Sequence, residues 1–167
     1  SDVILGDGRL TVAKEPDGTF DVIFLDAFSG DGIPVHLLTR EAMQLYFRKL
    51  KPDGKLMVHI TNTFVNLLPV VADLAKDANL ASLHVEFSPA TATFFSLPTS
   101  WVVLARTPQD LQPLREGNLP WEDIGEVKAV RTWTDDFSNV FSALKWDQLG
   151  LFPKGIEQIT SIKVEVK

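Results

Sequence analysis

A chain of 167 residues, 45% hydrophobic and 23% charged, has the size and balance of one domain with a sizeable core, so a single domain over 1–167 is expected. Its formal net charge of -6 speaks against broad nucleic-acid binding, which needs a concentrated basic surface, and suits either a small cationic substrate or ordinary solubility. The absence of cysteine excludes disulfides and thiolate metal sites, and the longest apolar runs, Leu67–Val71 and Trp101–Ala105, are far shorter than the ~20 residues of a membrane-spanning helix.

The first residues, Ser1-Asp2-Val3, show neither a basic leader nor a long apolar stretch, so the expectation is a cytoplasmic protein with no membrane partner. Val3–Leu5 reads as a short strand that stops at Gly6-Asp7-Gly8, and Leu10–Lys14 as a short helix before the turn at Asp17-Gly18. Asp21–Phe28 is a dense run of β-formers, expected to be a central strand buried on both faces. Thr39 caps a helix whose apolar Met43, Leu45, Tyr46, Phe47 and Leu50 follow at mostly helical spacing and which must end near Lys51-Pro52-Asp53-Gly54.

Lys55–Thr61 is the next strand, with Asn62 available to cap the segment after it, and Leu67–Ala78 a helix with Pro69 in its tolerated first turn. Ser82–Phe87 and Ser100–Arg106 are two further strands, and Pro108–Arg115 returns as a helix. Gly117–Gly125 and Leu149–Gly155 read as loops and Asp135–Trp146 as a helix, while Ile162–Val166 alternates apolar and charged residues like an edge strand. Strands alternating with helices specify an α/β domain with a mostly parallel sheet flanked by helices.

In such a sheet ligands bind beyond the carboxyl ends of the strands, where this chain places acidic and polar residues. Asp26 closes one strand and Asp31 follows five residues later in Asp26-Ala27-Phe28-Ser29-Gly30-Asp31-Gly32. Two carboxylates there can hold a cationic amine, and one can take the proton that a nucleophilic nitrogen must lose; the alternative is that Asp31 only stabilises a glycine turn and Asp26 caps the next segment. Asp7, beside Gly8, can accept from an adenine amino group or simply cap the next helix. His59, near a strand end, is either a ligand contact or a satisfied core histidine. His36, His59 and His84 have no metal-ligand spacing, so no metal is expected. Trp101, Trp121, Trp133 and Trp146 read as packing residues.

The run ILGDGRLTVAKEPDGTFDVIFLDAFSGDGIPVHLLTREAMQLYFRKLKPDGKLMVHITN, Ile4 to Asn62, resembles the second half of the spermidine synthase-like domain, and Trp133-Thr134-Asp135-Asp136-Phe137-Ser138-Asn139 is similar to the closing segment of bacterial members. The resemblance implies a truncated Rossmann-like methyltransferase fold and aminopropyl transfer from decarboxylated S-adenosylmethionine to a polyamine such as putrescine. It assigns Asp26 to deprotonating the attacking amine, Asp31 and His59 to holding the substrate, and Asp7 with Gly8 to the donor's adenine end. The family's glycine-rich half has no counterpart here, and 147–167 is expected to be a tail atypical of the family. Two other readings stand beside transfer of an aminopropyl group: methyl transfer from S-adenosylmethionine, and a non-catalytic binding or assembly module. Loss of two strands exposes an edge next to Asp21–Phe28, which Val3–Leu5, Ile162–Val166 or a second copy of the chain is expected to cover.

Overall fold

The computed structural model describes residues 3–26, 34–87, 98–128 and 130–146. Helix α1, Gly8–Ala13, begins where the Asp7 side chain accepts from the backbone N–H of Leu10. Strand β1, Phe20–Leu25, is followed by a 3-10 turn at Val35–Leu37 and by helix α2, Arg40–Lys49. Thr39 caps α2 through its side chain, as its residue type predicts. Strand β2, Leu50–His59, leads through Asn62, whose Oδ1 accepts from Phe64 and Val65, to helix α3, Leu68–Asp77. Strands β3, Ala81–Phe87, and β4, Thr99–Ala105, precede a 3-10 turn at Pro108–Leu111, helix α4 at Gln112–Arg115 and the short strand β5 at Glu122–Asp123.

The sheet order is β1-β2-β4-β3-β5. Strands β1, β2 and β3 run in one direction, as an α/β layout requires, but β4 is inserted antiparallel between β2 and β3, and β5 runs antiparallel to β3. The parallel pairing expected across the sheet is therefore confined to β1 and β2. The cause lies in chain length: the connection from Phe87 to Thr99 is shorter than a crossover needs, so β4 returns against β3.

Pairing partners share a face. On one face Leu25, Val58 and Val102 lie abreast and join the core formed with α2 and α3, where Met43, Tyr46, Val71 and Leu74 are buried. Burial pushes the Tyr46 hydroxyl's pKa well above its ordinary value. On the other face Leu83, Val85 and Val103 pack with Leu111 and Trp121. Over β1 that second face is uncovered among the described residues: Ile23 and Leu25 are buried, but Val22 is 39% and Phe24 64% exposed. Over its described residues, 21–26, the run Asp21–Phe28 is thus not a central strand buried on both faces; β1 ends the described sheet and is covered on one side.

Three other expectations differ. Among the described residues Val3–Leu5 pairs with no strand and is exposed throughout, so it does not cover the β1 edge. Asp135–Trp146 is not a helix: Thr134 and Phe137 bridge each other across a tight turn, and only Val140–Ala143 coils, as a 3-10 turn capped by Asn139. Gly117–Gly125 carries β5. The segment 147–167, with Leu149–Gly155 and Ile162–Val166, lies outside the described residues.

The turn after α2 is pinned from two sides. Pairing jumps from Phe20↔Leu50 to Val22↔Lys55, so Lys51-Pro52-Asp53-Gly54 bulges out, and a Cβ at Gly54 would stand 3.1 Å from the Asp21 carbonyl oxygen and 3.1 Å from Leu50 Cβ. Arg106, just past β4, donates to the carbonyls of Lys51 at 2.6 Å, Pro52 at 3.0 Å and Leu50 at 3.3 Å, and also to that of Phe47. A cation there satisfies the acceptors that a helix end leaves open and complements its dipole. This clamp fixes the end of α2 over β2 and so the level at which β2 delivers His59.

Candidate active site

Strands β1 and β2 are parallel and in register through Leu25↔Val58, so their carboxyl ends present Asp26 and His59 side by side. The His59 Nδ1 stands 2.7 Å from Asp26 Oδ1. Its Nε2 stands 2.8 Å from Thr61 Oγ1 and 3.2 Å from Thr99 Oγ1. Trp101, opposite His59 on β4, stacks on the imidazole with ring centres 4.7 Å apart and planes 23° apart, and Phe24 meets Trp101 edge-on at 6.3 Å. The result is a carboxylate, 57% exposed, beside an imidazole, 22% exposed, on an aromatic shelf. Ring faces and a carboxylate are the two groups that favour a desolvated organic cation.

A second feature shares two of these residues. A cleft of about 620 Å3 opens on the α3 side of the sheet, among Thr61, Asn62, His84, Glu86, Thr99 and Lys145. Thr61 and Thr99 both line it and bond the imidazole.

Asp7 is built differently. Oδ1 accepts from the Leu10 backbone N–H at 2.9 Å and Oδ2 stands 2.8 Å from His36 Nε2. It bonds neither Asp26 nor His59. Each carboxylate oxygen keeps a second lone pair, and a Cβ at Gly8 would meet nothing within 4 Å, so the pair retains acceptor capacity and open space for a ligand. The neighbouring Arg9 forks onto Asp135, with both bonds 2.7 Å, and Asp135 also accepts from Thr39 at 2.7 Å. That fork ties α1 to the Thr134–Phe137 turn across 126 positions of sequence.

Asp31 lies outside the described residues. Sequence reasoning missed His36, Thr61 and Thr99, and it gave Trp101 a packing role alone. Trp101 carried one usable signal, its place level with the His59 strand end. Among the described residues no group of three or more His, Asp or Glu is arranged to hold a metal ion, and no helix is long and apolar enough to cross a membrane.

The ion pairs around this end of the sheet set an acid limit. The Leu10 N–H, with help from His36, holds the Asp7 carboxyl below its ordinary value of 3.8; Arg9 does so for Asp135 and Arg40 for Asp77. A carboxyl held lower in the folded than in the unfolded chain adds stability above its unfolded value and loses it as pH falls through the folded one. The urea midpoint is therefore expected to change little between about pH 5 and pH 7 on account of these groups and to fall once pH drops through about 4. A midpoint that rose on acidification would contradict the ion-pair assignment.

No protein-family model matches the chain, and no curated protein does. Among solved structures it is similar to a probable spermidine synthase from Corynebacterium glutamicum ATCC 13032, at 16% identity and a TM-score of 0.51, covering 72% of this chain and 47% of that one. It also aligns with spermidine synthase from Thermotoga maritima, at 18% identity and a TM-score of 0.45 over 90% of this chain and 50% of that one. A third alignment is with a putative DNA modification methylase from Thermus thermophilus, complexed with S-adenosyl-L-methionine, at 14% identity and a TM-score of 0.43 over 65% of this chain and 59% of that one. The chain thus spans about half the length of the spermidine synthases it matches. The likeness establishes the fold: an α/β, Rossmann-like methyltransferase architecture with an open sheet flanked by helices.

Proposed function

We propose that this chain carries the amine-activating part of a transferase of the methyltransferase fold, acting in the cytoplasm on a small cationic amine. The reaction we assign is aminopropyl transfer from decarboxylated S-adenosylmethionine to a polyamine such as putrescine. One observation carries the reading: Asp26 and His59 in contact at the carboxyl ends of adjacent parallel strands, beside an aromatic shelf. The sequence resemblance over Ile4 to Asn62 supports it independently.

The donor supplies an aminopropyl group attached to a positively charged sulfur. The chain's residues do the rest. Asp7 accepts from the adenine amino group, with Gly8 leaving room for the nucleoside, Asp31 holds the acceptor, and His59 serves the acceptor site by orienting Asp26. Asp26 uses Oδ1 on His59, so Oδ2 takes the proton as the amine nitrogen bonds to carbon and the carbon–sulfur bond breaks, releasing a neutral thioether. Every atom and the single proton are then accounted for. The edge and outer face of β1, uncovered among the described residues, with Val22 and Phe24 exposed, favour a second copy of the chain as the partner there. The same uncovered edge favours a second reading, a non-catalytic binding or assembly module.

The test incubates the full chain with decarboxylated S-adenosylmethionine and putrescine and follows products by mass spectrometry. Spermidine and the thioether nucleoside are expected in equal amounts. No product would overturn the reading, and a methylated amine formed with S-adenosylmethionine instead would replace it with methyl transfer.

A further inference from the structure

His59 is held by more than its carboxylate partner, and the surrounding bonds have a direction. An ionised carboxylate only accepts, so the contact at 2.7 Å from Asp26 Oδ1 favours hydrogen on the imidazole nitrogen there. On the other side, the Thr61 hydroxyl oxygen accepts from the Ser100 backbone N–H at 2.7 Å, and the Thr99 hydroxyl oxygen accepts from Trp101 Nε1 at 3.1 Å. Both of those partners donate and cannot accept, so each hydroxyl keeps its own proton to give. Among the described residues the nearest strong acceptor for the Thr61 proton is His59 Nε2 at 2.8 Å, with Thr99 Oγ1 more distant at 3.5 Å. Thr99 can donate to the same nitrogen at 3.2 Å. The opposite tautomer would set a bare nitrogen lone pair against a carboxylate and leave both hydroxyl protons poorly placed.

We infer that Thr61, Thr99 and Trp101 are positioning residues that hold His59 as the Nδ1–H tautomer, with its hydrogen committed to Asp26 Oδ1 so that Oδ2 alone faces the amine. Trp101 acts twice, by stacking on the ring and by turning the Thr99 hydroxyl toward it. For its chemical purpose this inference rests on the transfer reading; its structural content stands apart from turnover, and so does its test.

Nitrogen-15 labelling of histidine in the full chain, with long-range proton–nitrogen spectra near neutral pH, reads each ring nitrogen directly. The chain has three histidines, and His59→Gln identifies the His59 signals by their loss. The expected spectrum shows a pyrrole-type Nδ1 and a pyridine-type Nε2. Thr61→Val combined with Thr99→Val should move both nitrogens toward the average of two tautomers, Thr61→Ser should retain the original pattern, and Trp101→Phe should move it part of the way. A hydrogen on Nε2 in the unmodified chain, or an unchanged pattern in the double valine variant, would overturn the inference. Where turnover is present, Thr61→Val should lower kcat about tenfold with KM little changed, the loss of one well-placed hydrogen bond. A chain with this tautomer and no turnover would sink the transfer reading and leave the positioning intact.

Discussion

Replacing Asp26 by asparagine is expected to lower kcat for amine transfer by about 10²–10⁴-fold, the range a positioned proton acceptor contributes, while the unfolding curve stays within about 0.5 kcal/mol of the unmodified chain. The contrast follows from where the side chain sits. Asp26 is 57% exposed, fills no core position and bonds His59 through Oδ1, so the fold has little to lose. An amide keeps the size and can still hydrogen-bond, but it cannot take a proton at working pH. His59→Gln should fall between the two, because it leaves the carboxylate in place and removes what orients it. Steady-state rates with decarboxylated S-adenosylmethionine and putrescine, set beside urea unfolding of the same samples, check both halves. Full activity in Asp26→Asn would remove Asp26 from the chemistry.

Trp133→Ala should be the most damaging single change to stability, by about 3–5 kcal/mol, a large share of what holds a domain of this size together. Trp133 is fully buried in the main core, and its carbonyl accepts from the Arg40 N–H at 2.9 Å, at the start of α2. Truncation would leave a cavity in that core and unfasten the segment that also carries Asp135. Among the described residues the indole N–H has no hydrogen-bond partner. Trp133→Phe should therefore lose much less than the alanine variant, since it keeps most of the volume and deletes a buried donor left unsatisfied. Equal urea midpoints for the two variants would show that volume is not what this position supplies.

Local pattern made much of this molecule legible. The Thr39 cap, the apolar face of α2, the glycine turn before Lys55 and the first-turn Pro69 all stand where residue chemistry puts them, because each depends on neighbours a few positions away. Asp26 and His59 were legible as strand-end residues for the same reason. What pairs with what was not. Val102-Val103-Leu104-Ala105 reads as a strand, but β-propensity does not say that it belongs between β2 and β3. Phe137, Val140, Phe141 and Leu144 recur at helical intervals, yet Phe141 is 73% exposed and the bonds from Asn139 and the Thr134–Phe137 bridge keep the backbone in short turns. The Arg9–Asp135 fork and the Trp101–His59 stack join residues far apart in sequence, so neither leaves a local trace.

The position of β4 governs how the chain can assemble on the ribosome. β1, β2 and β3 emerge first, but β2 and β3 have no ladder to share until residues 99–105 arrive between them. A nascent chain halted before Thr99 therefore holds two unzipped strand borders, with Val102, Leu104 and Trp133 still missing from one core and Val103, Leu111 and Trp121 from the other, an invitation to chaperones rather than a folding intermediate. Closure waits for Ala105 to clear the exit tunnel, whatever helices have formed by then.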